Sequence, residues 1–93
     1  MSNFKKEIEI NVPSNLIFDG TLSDRARFLY CYMAAKPDGW DFYLDSMAEE
    51  IGYSKDTLRK YINELVRRGW LVKGKQKNIN GVFGAVEYTL KKL

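Results

Sequence analysis

Lys55, Arg59, Lys60 and Asn63 follow one another at steps of four, one and three residues. That spacing gathers them on one side of a helix. Their side chains are hydrogen-bond donors, and only the Asn63 amide also accepts. Such a face suits an acceptor-rich or anionic partner. Ser54 and Thr57 add hydroxyls at the start of the same segment. A second set follows at Lys73, Lys75 and Lys77, which recur every second residue, with Asn78 beside them. The acids form no comparable group. Glu49 and Glu50 are adjacent, and adjacent helical residues diverge, so they define no pocket. The chain has no histidine and one cysteine, Cys31. Ser-His-Asp and Cys-His catalysis, histidine metal sites and a multi-cysteine zinc site are therefore excluded within it. No catalytic residue, metal ligand or cofactor is expected, and the chain does not read as an enzyme.

The net charge of +3 hides an asymmetry. Residues 1–52 hold five Lys/Arg and nine Asp/Glu, a net of −4. Residues 53–93 hold ten Lys/Arg and three Asp/Glu, a net of +7. The basic half starts where the donor-bearing helix starts. Segregated charge of this kind points to a polyanion, and duplex DNA is the simplest. A solvated basic surface is the plain alternative.

The donors need a helix at 54–69. Ser54 is its N-cap, and Leu58, Tyr61, Ile62, Leu65 and Val66 make its apolar stripe. Arg67 and Arg68 suit its negative end, and Gly69 stops it. A shorter helix precedes it at 45–51, with Asp45 as N-cap and Met47, Ala48 and Ile51 on one face. Gly52 ends that helix, because only glycine takes the left-handed conformation without steric cost. The small Ala48 allows the two helices to cross closely. In Met47-Ala48, Ile51-Gly52, Ser54, Leu58 and Tyr61 the sequence resembles the helix-turn-helix family.

The remaining segments frame this pair. Residues 4–12 alternate, with Ile8, Ile10 and Val12 on one side, as in a half-buried strand that Pro13 ends. Leu16, Ile17 and Phe18 form an apolar latch in the loop after it, and Asp19-Gly20 a turn. A helix is expected over 23–36, capped by Ser23, with Ala26, Leu29, Tyr30 and Met33 as its core stripe. Phe28, Cys31, Tyr32 and Ala35 occupy its other faces, so it needs cover. The N-terminal strand and loop, or a second copy of the chain, would supply it. Cys31 reads as a small core residue. Lys36-Pro-Asp-Gly39 is a turn with proline in its second position. Trp40, Phe42 and Leu44 then alternate as a short strand packed into core or sheet. After Gly69, two strands join through Asn80-Gly81, a favoured hairpin turn. Val86, Tyr88 and Leu90 alternate inward, and Gly74 and Gly84 open the ladder or make bulges.

This order resembles the winged-helix domain over residues 22–92. Gly-Trp-Leu at 69–71, the Asn-Gly turn and Glu-Tyr-Thr-Leu at 87–90 carry the resemblance. It implies one α+β domain over 1–93: an N-terminal strand and loop (1–21), then a core of three helices and an antiparallel wing. The segment Leu22-Ser-Asp-Arg-Ala-Arg-Phe-Leu-Tyr30, after a strand ending Val12-Pro13, looks like the N-terminal DNA-binding domain of phage and plasmid replication initiators and replisome organisers. Small bacterial regulators share much of the pattern. Such initiators usually continue into a second domain, so the chain is either a fragment or a short protein of another role.

The resemblance implies that residues 54–69 enter the major groove. Arg59 and Lys60 would donate to guanine or phosphate, and Asn63 would pair with adenine. Ser54, Lys55 and Thr57 would face phosphates at the helix N-terminus. The wing over 73–84 would follow the backbone or enter the minor groove through Lys73, Lys75, Lys77 and Asn78, supplying affinity rather than sequence preference. Duplex DNA is thus the expected partner, in replication initiation or transcription control, with a homodimer through the first long helix as a further expectation. A winged helix used only for protein contacts is the other reading. The longest apolar run, 28–35, is too short to span a bilayer, and the N-terminus lacks an apolar signal core. A cytoplasmic location is therefore expected.

Overall fold

The computed structural model describes residues 10–79 and 82–93, with backbone alone at 76–79 and 82–85. Its elements are α1 (Ser14–Ile17), α2 (Asp24–Ala34), α3 (Leu44–Ile51), α4 (Lys55–Arg67), β1 (Leu71–Ile79) and β2 (Val82–Leu90). The two strands pair antiparallel. This is the expected α+β arrangement of a winged helix-turn-helix, with the short α1 in addition.

Ser23 starts α2, its Oγ accepting from the Ala26 N–H at 3.2 Å. Asp24 follows in the first turn, where the dipole favours a negative charge. Ala26, Leu29, Tyr30 and Met33 are all buried, as their helical spacing requires. The helix stops at Ala34, two residues before the expected end. Lys36 N–H bonds the Met33 carbonyl three residues back, so the last turn tightens. The Cys31 thiol is half-buried in α2, and burial pushes its pKa up.

Cover for the second face of α2 comes partly from the turn between α3 and α4. The Tyr53 ring lies 6.3 Å from that of Phe28, which is still 49% exposed. Of the strand expected at 4–12, residues 4–9 lie outside the described residues, and 10–12 join no strand. The expected latch reduces to Leu16, which is fully buried, while Ile17 and Phe18 are exposed. Consecutive helical residues diverge, so the short α1 turns only one of the three inward.

The turn after α2 is displaced by one residue. Trp40 N–H bonds the Pro37 carbonyl at 3.1 Å, so proline takes the first position and Gly39, at φ +79°, the third. Trp40 is not core. It is half exposed, with the Lys36 ammonium 4.9 Å from its ring and Glu50 holding the same ammonium at 2.7 Å. The expected strand is a single bridge, Phe42 to Val86, because Leu44 already opens α3. The Phe42 ring meets Tyr88 edge-on at 6.0 Å.

Asp45 does not cap α3. The helix begins one residue earlier, after Tyr43, and no side chain caps it. Asp45 therefore sits inside the first turn, where its charge still favours the dipole. Gly52 ends α3 at φ +74°, as expected, and Tyr53 N–H closes the end on the Ala48 carbonyl at 3.0 Å. In α4, Leu58, Ile62 and Leu65 are buried and Tyr61 is partly buried, but Val66 is 38% exposed and leaves the stripe.

Trp70 ties the end of α4 to the N-terminal loop. Its ring stands edge-on to Tyr30 at 6.0 Å. Its Nε1 donates to Asp19 Oδ2 at 3.0 Å, and Thr21 donates to Asp19 Oδ1 through both its N–H and its hydroxyl. The chain end is held alongside: Tyr30 OH donates to the Lys91 carbonyl at 3.0 Å, and Asn15 Nδ2 to the main-chain oxygen of Leu93. The bonds from Thr21 first, then from Trp70, lower the Asp19 pKa from 3.8 to about 2. A depressed native value means that the carboxylate stabilises the fold above its ordinary titration range. That contribution fades as pH falls through 3.8 toward about 2. The stability gap between wild type and Asp19→Asn, followed by tryptophan fluorescence, should narrow across that window. A constant gap would show that the charge plays no part.

The ribbon contains two compensating irregularities. Between the pairs Lys73–Tyr88 and Gln76–Val86, β1 advances three residues while β2 advances two. Between Gln76–Val86 and Asn78–Phe83 the excess passes to β2, and the original register returns. Gly74 and Gly84 lie in these two stretches, as bulge residues would. A Cβ at Gly74 would come 3.2 Å from the Glu87 carbonyl oxygen, a tight contact that the facing backbone would have to relieve by a few tenths of an ångström. The Asn80-Gly81 turn lies outside the described residues.

Candidate nucleic-acid interface

The outer face of α4 is built by its inner one. Burying Leu58, Ile62 and Leu65 leaves Lys55, Arg59, Lys60 and Asn63 exposed. Ser54 caps the helix, its Oγ accepting from the Thr57 N–H at 3.1 Å and donating to Thr57 Oγ1 at 2.9 Å. The Thr57 hydroxyl therefore keeps its own proton free to donate, beside the unpaired N–H groups of the first turn.

The cations are not bare. Lys55 pairs with Asp45 of α3 at 2.8 Å, and Arg59 with Asp56 at 3.0 Å. Lys60 Nζ stands 5.6 Å from the Tyr61 ring centre. The two ion pairs are exposed, hence weak and screened by salt. They hold the side chains ready, and a polyanion can displace the carboxylates.

Arg59 and Asn63 converge with Lys73 of β1 around one groove of about 370 Å³. Phe42 and Val86, joined by the bridge, also line this groove, and the bridge ties β2 to the segment before α3. Ser54, Lys55, Thr57 and Lys60 lie outside that lining, on the flanks and N-terminus of α4. Lys75 is exposed within the first irregular stretch of β1, and positions 77 and 78 fall on the distal part of the same strand. The extra residue at 74–75 interrupts strict alternation, so the every-second-residue spacing of the three lysines does not define a common face.

Glu64 has a role that its sequence position did not suggest. It lies on α4, yet Oε2 accepts from Ser23 N–H at 2.7 Å and Oε1 from Ser23 Oγ at 2.9 Å. A carboxylate three residues after the cap usually completes such a box. Here that position is Ala26, and α4 supplies the acid instead. The bond fixes α4 against the start of α2 and so aims the donor face. An N-cap serine with no acid in its own first turn at that position was the available signal.

A family model described as a helix-turn-helix domain matches residues 20–71. The match runs from the loop before α2 to the first residue of β1. No curated protein and no solved structure matches the chain. Among the described residues, no helix is long and apolar enough to cross a membrane.

Proposed function

Because the chain belongs to the helix-turn-helix domain family, we propose that it binds double-stranded DNA, with α4 in the major groove and the wing against the adjacent backbone. The convergence of Arg59 and Asn63 with Lys73 carries the reading, since it presents helix and wing donors to one ligand. Arg59, Lys60 and Asn63 are assigned to base edges or nearby phosphates. Ser54, Lys55 and Thr57 take phosphates at the helix N-terminus, where the free N–H groups add to the attraction. Lys73, Lys75, Lys77 and Asn78 follow the backbone. Replication initiation and transcription control are the two processes this binding would serve, and the sequence pattern at 22–30 favours the first.

The test is fluorescence anisotropy of a labelled random-sequence duplex at about 50 and 200 mM salt, where phosphate contacts are most visible. Binding should weaken steeply at the higher salt. No binding at the lower salt would overturn the proposal. It would favour a protein-contact module instead.

A further inference from the structure

The groove between α4 and the wing has an apolar floor that phosphate contact does not use. Phe42, Met47 and Ile62 contribute to it and are 8%, 2% and 4% exposed. Tyr88 lines it as well, edge-on to Phe42. At about 370 Å³ it is the size of a small ligand cleft, a class that starts at roughly 300 Å³. Its mouth carries charge of one sign. Arg59 and Lys73 are cations, Asn63 is an amide, and among the described residues no carboxylate lines it. Asp56 engages Arg59 from outside the lining.

We propose that this groove binds a small aromatic carboxylate, its ring on the apolar floor and its carboxylate toward Arg59 and Lys73. The cations alone would suit any anion. The floor selects one that carries a ring, because burying ring surface adds the hydrophobic contribution that inorganic phosphate lacks. Arg59 and Lys73 are also assigned to DNA, so ligand and duplex exclude each other and the ligand releases the chain from DNA. That competition rests on the DNA reading; the binding itself does not.

The isotope-labelled chain is titrated with 2-naphthoate in the absence of DNA and followed by amide NMR shifts. Saturable shifts are expected at Met47, Ile62 and Tyr88. Lys73→Glu should weaken binding about tenfold, the scale of one charge-assisted hydrogen bond. Lys92→Glu, the same charge reversal at an exposed residue outside the groove, should not. The uncharged 2-naphthamide should bind about tenfold more weakly than the acid, for the same reason. Shifts scattered over other elements, equal binding of the amide, or the same shifts from inorganic phosphate would overturn the proposal. A labelled duplex is then challenged with naphthoate, and its displacement is expected. A bound duplex that saturating naphthoate leaves in place would overturn the competition alone. Naphthoate binding by a chain with no affinity for duplex would uphold the groove and overturn the DNA reading.

Discussion

Alanine at Lys55, Arg59 and Lys60 together is expected to remove most of the affinity for duplex DNA. The slope of log K against log salt should shrink by up to about 0.9 for each phosphate that is no longer neutralised. The difference from wild type should be large at about 50 mM salt and smaller at about 200 mM, because counterion release is then worth less. The fold should survive the change. All three side chains are exposed, and alanine is the best helix former. The two ion pairs that disappear, Lys55–Asp45 and Arg59–Asp56, are exposed surface pairs worth about 0–1 kcal/mol each. A urea melt run beside the anisotropy titration separates the effects. Abolished binding with an unchanged midpoint supports α4 as the DNA-reading helix. Unchanged binding would remove its outer face from the interface and leave the wing as the candidate.

Leu58→Ala should give one of the largest losses of stability of any single change on α4. Leu58 is 0% exposed and belongs to a core cluster that also draws on α1, α2, α3 and β1. Leucine-to-alanine changes at such sites cost about 2–5 kcal/mol, from lost transfer energy and the cavity left behind. Domains of this size have only about 5–15 kcal/mol to lose. The urea midpoint should therefore fall sharply at an unchanged slope. A loss below about 1 kcal/mol would mean that the site collapses around the cavity and that the helix crossing is looser than the burial implies.

The helix-turn-helix was legible because its signals are local. Ser23 and Ser54 cap helices, Gly52 takes a positive φ, and the stripes on α2 and α4 bury nearly as their period requires. These depend on neighbours within two turns. What stayed hidden depends on partners distant in sequence. Glu64 reaches Ser23 from 41 residues away, and nothing in its own segment marks it. Trp40 looked like core by alternation. Yet Lys36 and Glu50 form a polar support at the turn that holds it at the surface. Asp45 looked like a cap until Leu44 began the helix a residue sooner. At the interface, residue types identified the donors on α4. They did not reveal that Lys73 lines the groove with Arg59 and Asn63, because that follows from the bridge at Phe42.

The paired irregularities of the ribbon set a rule for how this wing can change length. Side chains in a strand alternate with period two, so one residue deleted from a regular stretch of β1 alone reverses the facing of everything beyond it. The present chain carries one extra residue on β1 and, farther out, one on β2, and each cancels the other. Removing a residue near Gly74 together with one near Gly84 would give a shorter ribbon whose base pairs and distal pairs keep their partners. Either deletion alone would also leave those pairs in place, but the bend of the remaining bulge would then go uncompensated. Related chains should therefore gain or lose single residues at the two bulges, and a change in a regular stretch of one strand should be matched on the other or confined to the tip.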